Sequence, residues 1–219
     1  MSHPRKSRAG GRPSQQRAAE ISDAIVAATV EAFADHGMDF SMEQMAAAAG
    51  ISKQAVYRRW PGKTDLLIHA IGRTIERLVA RAADRLPGDP AAALREIAWR
   101  VFDSDEGQAN RIGIFLQAEA LRDGGLQRHM LGWHEALVQL LSARTRVLLL
   151  QLGKDEEAAP SLAAILFDLL SGARATLAWT GTPPMDDPAV FELRWQAFLH
   201  IVRASADLAT SAIVPAPKS

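Results

Sequence analysis

The sequence has no cysteine, one tyrosine and no net charge, with 25 basic and 25 acidic residues. Without cysteine, disulfides and thiolate metal sites are excluded, and the composition suits a reducing cytosol. No run of β-branched residues alternates with polar ones, so we expect no sheet. Abundant Ala, Leu, Arg and Glu favour helix instead, and the fold class we predict is all-α.

Membrane and export signals are missing as well. The most apolar segment, residues 162–179, is interrupted by Asp168 and Arg174, which favours a buried helix over a membrane span. Residues 1–17 are basic and polar and lack the apolar stretch of a secretory signal. We therefore predict a cytoplasmic protein with no membrane partner.

Charge is concentrated by sign, although its sum is zero. Every charged residue between positions 1 and 17 is basic, whereas acids gather in 84–119 and 155–157. This distribution is typical of a chain whose N-terminal end contacts DNA. Residues 1–15 are expected to form a flexible arm from which Arg12 follows phosphates or enters a minor groove. A solvated tail is the alternative.

Residues 41–63 have the pattern of a helix-turn-helix, the unit that inserts a helix into a DNA groove. Ser41 and Gln44 have the spacing of a capping box at the start of a short helix. Gly50 can take the left-handed conformation of the turn, and Ser52 can cap the next helix.

The helix after Ser52 has two faces when its residues are placed about 100° apart. Val56 and Trp60 fall on an inner arc that holds the helix to a core. The outer arc can bond base edges or phosphates and consists of Lys53, Gln54, Tyr57 and Arg58. Any surface helix has a polar face, so solvation is the alternative. After the break at 61–62, Lys63 opposes the dipole of the next helix, which favours a DNA phosphate there unless Asp65 compensates.

A longer series of motifs covers residues 16 to 70: Ile25-x-Ala-Ala-x-x-x-x-Phe33, Gly37, Ser41-Met-x-x-Met-Ala, Ala49-Gly-Ile-Ser, Val56-Tyr-Arg-Arg-Trp-Pro-Gly-Lys63 and Asp65-Leu-Leu67. Together they resemble the tetracycline-repressor-like (TetR) family. That resemblance implies a homodimer with a nine-helix fold, in which a three-helix DNA-reading head sits on a helical body that binds a ligand.

The resemblance also implies residue roles in the head. Tyr57 and Lys63 would touch phosphates, and residues 53–55 would face bases. Arg59 stands where many members have His, and would still reach a phosphate; Trp60 replaces Phe. The predicted DNA-binding residues are Arg12, Ser41, Lys53, Gln54, Ala55, Tyr57, Arg58, Arg59 and Lys63.

Periodicity and breaks divide the chain into four parts. We predict a basic arm (1–15), a helix-turn-helix domain (16–62), a connecting helix (63–86) and a ligand-binding and dimerisation domain (87–213). The helices expected in the last part are 91–103, 111–121, 126–152, 160–179 and 188–211.

The last two predicted helices are apolar around more of their circumference than one core would cover. A two-fold four-helix bundle between two chains would bury both faces and present two reading heads to a palindromic operator. A monomeric core is the alternative. The predicted interface residues are Leu166, Leu169, Leu170, Ala173, Leu177, Trp195, Phe198, Leu199 and Val202.

Large aromatic and polar residues of the body are candidates to line a ligand cavity, with plain core as the alternative. These candidates are Trp99, Phe102, Phe115, Met130, Trp133, His134, Phe167 and Arg174. His129 and His134 lie five apart, on different helix faces, so we predict no metal site. We expect no cofactor, and without a phosphate loop or nucleophile motif we predict that the protein is not an enzyme.

The function predicted from these features is a sequence-specific regulator, a homodimeric repressor that a small molecule releases from its operator. A nucleoid or division factor whose body binds a protein partner is the alternative. A helical enzyme or lipid carrier with an incidental helix-turn-helix is a third class, disfavoured because no catalytic constellation is present.

Overall fold

The structure is a computed structural model that describes residues 15–102, 108–180 and 188–205, without the side chains of residues 15, 108–110 and 173–180. In this part of the chain it is all-helical with no strand, which confirms the predicted fold class. The described residues form nine α-helices, which are α1 Gln15–His36, α2 Met42–Ala48, α3 Lys53–Arg59, α4 Lys63–Ala82, α5 Pro90–Phe102, α6 Gln108–Ala120, α7 Gly124–Gln151, α8 Ala159–Thr180 and α9 Pro188–Ala204. Two short 3-10 helices, Gly37–Asp39 and Glu156–Ala158, precede α2 and α8.

Helix α4 ends four residues before the predicted position 86. Arg85 has a left-handed φ of 50°, and Leu86 precedes Pro87, whose ring disfavours helix in the residue before it. The guanidinium of Arg100 in α5 then donates to carbonyl oxygens at and just after the end of α4, to Arg81 O at 3.0 Å and to Asp84 O at 2.6 Å. A side chain of the body thus caps the connecting helix.

The first hydrophobic core, which we call the head core, joins α1 to α4 with α6 and the start of α7. Its buried members are Ile25, Phe33, Phe40, Met42, Met45, Ala46, Ala49, Val56, Trp60, Leu66, Leu67, Ile71, Leu116 and Leu126. Phe115 of α6 packs edge-on against Phe33 of α1, with ring centroids 5.8 Å apart. Gly37, at φ 56°, lies under the same ring, and an added Cβ there would be strained. The head therefore rests directly on α6.

The second core, the body core, lies among α5, α7, α8 and α9. Its fully buried members are Ala82, Leu94, Ile97, Ala98, Leu141, Leu149, Ala159, Ala163, Leu166, Phe191, Phe198 and Val202. None of the described helices is long and apolar enough to span a bilayer.

This core contains part of the predicted dimer interface. Five of the predicted residues are core residues of the single chain, with at most 3% of each exposed: Leu166, Leu170, Trp195, Phe198 and Val202. Their apolar stripe packs within the body core, and their role at a dimer interface stays a prediction. Leu169 and Leu199 are half-buried at the core margin, and Ala173 and Leu177 lie outside the described side chains.

Candidate nucleic-acid interface

Local hydrogen bonds fix the starts of α2 and α3, and a glycine forms the turn between them. The Gln44 N–H donates to Ser41 Oγ at 3.4 Å and the Ser41 N–H to Gln44 Oε1 at 3.2 Å, which confirms the predicted capping box. Gly50 has a φ of 64°, the left-handed conformation the turn requires. The Ala55 N–H donates to Ser52 Oγ at 3.2 Å, so the predicted cap of α3 is also present.

Helix α3 is fixed by its inner arc. Val56 is fully buried and Trp60 is 5% exposed, as predicted. The side chains of Lys53, Gln54, Tyr57, Arg58 and Arg59 are exposed, and Ala55 is half-buried. Seven residues held by two buried anchors thus present an almost entirely polar surface.

The exposed residues of α3 point in three directions. Gln54 and Arg58 each lie two residues from Val56, or about 160° around the axis, so they point away from the core. Tyr57 and Arg59 are likewise about 160° apart and occupy opposite flanks. A helix in a major groove about 12 Å wide has bases in front and a phosphate backbone on each flank. The three directions match those three surfaces.

An ion pair between Glu43 of α2 and Lys53 of α3 crosses this surface. The Ser41 hydroxyl donates to Glu43 Oε2 at 3.0 Å, and the Lys53 ammonium lies 5.6 Å from the centre of the Tyr57 ring. Mainly because Lys53 bonds its carboxylate, the pKa of Glu43 is lowered to about 2. The same bond raises the pKa of Lys53. Glu43 was not among the predicted site residues, and no spacing rule within one helix would have found its partner.

The start of α4 is satisfied from within the chain. The Gly62 N–H donates to Asp65 Oδ2 at 2.9 Å, so Asp65 is the compensating group. Lys63 Nζ donates to Met38 O at 2.9 Å and lies 5.5 Å from the centre of the Phe40 ring. An external anion is therefore not required to stabilise this helix start. Contact between Lys63 and phosphate stays a prediction, for which the ammonium retains two donors.

Two other predicted DNA contacts have a definite status. Ser41 is engaged as the cap of α2 and as the donor to Glu43, so its local role is to fix the start of α2. Arg12 lies outside the described residues.

Among the described side chains, the predicted ligand residues fall into three groups. Trp99 and Phe102 pack on Phe191 of the body core, with ring centroids 4.9 and 5.6 Å from it. Another three, Phe115, Met130 and Trp133, pack against the head core. Only His134 and Phe167 remain together at the surface between α7 and α8, edge to face at 4.7 Å. The Arg174 side chain lies outside the described part.

Acidic and histidine side chains of the described residues are spread over the surface or engaged in pairs. No group of three or more His, Asp or Glu side chains there is placed to hold a metal ion. The acids with lowered pKa, Glu43 and Glu192, are engaged on the surface with a lysine in one case and with Gln196 and Arg95 in the other.

Comparison with known proteins places the turn and its flanking helices in a family. Residues 25–70 match the model of the family described as bacterial regulatory proteins, tetR family. An uncharacterized HTH-type transcriptional regulator of Mycobacterium bovis is 24% identical over 149 residues, which cover 68% of this chain and 71% of that protein.

Solved structures show that the likeness of fold extends through the body. A transcriptional regulator from Rhodococcus sp. Rha1 is 23% identical and aligns with a TM-score of 0.67 over 89% of this chain and 99% of its own. A TetR transcription regulator from Haloarcula marismortui is 20% identical and gives 0.68 over 85% and 98%. The whole described arrangement of head and body is thus that of known transcriptional regulators.

Proposed function

The chain belongs to the TetR family of bacterial regulatory proteins and is a DNA-binding transcriptional regulator, and from that premise we propose that it is a homodimeric repressor. In this proposal two copies bind a palindromic operator, and a small molecule bound to the body releases them. The observation that carries the DNA-binding part is the surface of α3, where polar side chains point in the directions of the bases and of both backbones.

Base reading is assigned to the front of α3. Gln54 suits adenine and Arg58 suits guanine, because each side chain can make paired bonds to one base edge. Tyr57 and Lys63 bind phosphate, and Lys53 has to exchange Glu43 for DNA. Glu43 therefore competes with DNA for the Lys53 ammonium, and only a DNA site that fits α3 well displaces it.

Dimerisation is assigned to the outer face of α9. Leu193 is 65% exposed, and it continues into exposed Ala197, His200 and Ala204 at spacings of three and four residues. Half-buried Leu169 and Leu199 border the same helices. A two-fold axis that pairs these outer faces would form the bundle predicted from the sequence without opening the body core.

Ligand release requires that the body move α4. The end of α4 is bonded to Arg100 of α5, and its outer half packs on the body core through Ile75, Leu78 and Val79. A ligand at the His134–Phe167 surface that prefers shifted α5 and α7 helices would tilt α4 and carry the head with it. Both heads would then no longer match the two half-sites.

Binding to the DNA upstream of its own gene tests the proposal. Full-length protein is titrated at about 0.15 M salt against that duplex and against a shuffled duplex of equal composition. We expect a preference of about a thousandfold or more, as for other specific regulators. Equal affinity for both duplexes would contradict the repressor proposal.

A further inference from the structure

A cleft of about 580 Å³ lies beside the recognition helix, between the first half of α1 and the middle of α4. It is separate from the front of α3 and from the His134–Phe167 surface. The residues that line it are Ala18, Ala19, Ser22, Asp23, Arg59, His69, Arg73 and Arg77.

Positive charge is in excess in this cleft. The Arg77 guanidinium pairs with Asp23 and that of Arg73 with Glu76, the latter at 2.6 Å. Arg59 has no carboxylate partner in the described part of the chain, and it stacks on Trp60 at 4.9 Å. Three guanidiniums against two carboxylates leave one uncompensated positive charge.

The surroundings of His69 show the same excess of positive charge. Its ring packs 5.2 Å from that of Trp60, and its Nε2 is buried with no hydrogen-bond partner among the described residues. Burial lowers the pKa of His69 first, and Arg59 and Arg73 lower it further, against the smaller opposing effect of Glu76. Two guanidiniums from different helices are therefore close enough to act on one ring.

The donors in the cleft suit a tetrahedral oxyanion. Each guanidinium has five N–H donors in a planar fork, and the pairs of Arg73 and Arg77 each use one bond to a carboxylate. Phosphate oxygens accept such bonds in pairs, and the Ser22 hydroxyl adds a neutral donor. We propose that this cleft binds a phosphate group, with Arg59, Arg73 and Arg77 as its ligands.

Position makes the DNA backbone the favoured source of that phosphate, and this part rests on the proposed function. Arg59 lies on the flank of α3 opposite Tyr57, so the two flanks face the two backbones of one major groove. The cleft continues the Arg59 flank outwards through α1 and α4. Each recognition helix would then be held from both sides rather than from the Tyr57 side alone.

Matched charge changes test the cleft in the full-length protein. Ala19→Glu puts a carboxylate into it, and Ala27→Glu puts the same charge at another exposed alanine of α1. Arg73→Gln removes a ligand, and Arg81→Gln removes an exposed arginine elsewhere on α4. We expect Ala19→Glu and Arg73→Gln to weaken binding to any duplex about tenfold, and Arg73→Gln to lower the salt slope by about one phosphate; both controls stay near wild type.

A second measurement distinguishes the source of the phosphate. The His69 ring resonance, identified by its loss in His69→Gln, is followed by NMR while inorganic phosphate replaces chloride at constant ionic strength. The shift should saturate with phosphate, disappear in Arg73→Gln and persist in Arg81→Gln. If this happens while Arg73→Gln leaves duplex binding unchanged, the cleft is a phosphate site, but its ligand is a free phosphate rather than the DNA backbone. The proposal is overturned if the cleft variants match their controls on DNA and phosphate leaves His69 unchanged. A protein that fails to prefer its upstream duplex would defeat the repressor proposal, yet both measurements would still decide the cleft.

Discussion

The two cores of this molecule leave different surfaces behind. The head core buries every large apolar side chain of α2 and α3 except Tyr57, so its outer surface is polar. The body core leaves Val147 and Leu150 of α7 and Leu193 of α9 exposed, at 41%, 56% and 65%. A single chain thus buries the apolar side chains of the head and exposes a polar surface that can contact DNA. The body keeps exposed apolar area, which a second copy would cover in the proposed dimer.

Replacing Leu193 with Asp is expected to have the largest effect, because it places a charge in the outer face of α9, the proposed dimer interface. A two-fold interface would bury two carboxylates at once. The dimer dissociation constant should therefore rise about a thousandfold in sedimentation equilibrium, with the helical circular dichroism unchanged.

Leu121→Asp is the control for that change, since Leu121 is 89% exposed after the end of α6. It should leave the dimer intact. A wild-type protein that is monomeric at micromolar concentration, or equal effects of both changes, would contradict the assigned face.

Phe115→Ala tests whether α6 belongs to the head core. Because Phe115 packs on Phe33 and over Gly37, the change should lower the free energy of unfolding by about 3 kcal/mol, the lower end for a lost Phe side chain. Chemical denaturation measures it. Ile114, the preceding residue, is 37% exposed, and Ile114→Ala should cost about 1 kcal/mol or less. Equal costs would mean that α6 does not belong to the head core.

The head was predictable because its rules act over a few residues. The capping box at Ser41, the left-handed Gly50 and the buried Val56 and Trp60 all follow from spacings within one turn or helix, and the structure confirms each. The helix boundaries held to within about three residues except at α4 and at α9, whose predicted end lies outside the described residues.

What the sequence missed depends on contacts between distant residues. The end of α4 is set partly by Arg100, 16 to 19 residues away, and the Glu43–Lys53 pair joins two helices. Apolar periodicity in α9 correctly indicated a buried stripe, but period alone does not tell whether Phe198 packs within its own chain or across a dimer. For the same reason Phe115 and Trp133 were predicted at a ligand cavity and lie against the head.

Glu43→Gln should have the smallest of these effects, and it tests whether the ion pair with Lys53 weakens DNA binding. Losing the carboxylate releases Lys53 and removes a charge that repels phosphate, so affinity for shuffled DNA should rise about threefold and the preference for the upstream duplex should fall. The lowered pKa keeps the Glu43 carboxylate of the free protein ionised until the pH falls towards about 2. Glu43 is therefore ionised throughout neutral pH, and the difference between the variant and the wild type should be the same at pH 7 and pH 8.

Glu31→Gln is the matched control, an exposed glutamate of α1 whose change gives the same net charge. If it raises affinity for shuffled DNA as much as Glu43→Gln does, the effect comes from net charge, and Glu43 has no particular role at the surface of α3.

In the proposed function the front of α3 reads bases. The double variant Gln54→Ala, Arg58→Ala tests this through the ratio of its affinities for the upstream and the shuffled duplex. At about 1–3 kcal/mol for each of the two base contacts, the ratio should fall by about thirtyfold or more while binding to the shuffled duplex changes little. The body variant Arg128→Ala, Gln139→Ala, exposed on α7, should keep the wild-type ratio. An unchanged ratio in the α3 variant would contradict the account.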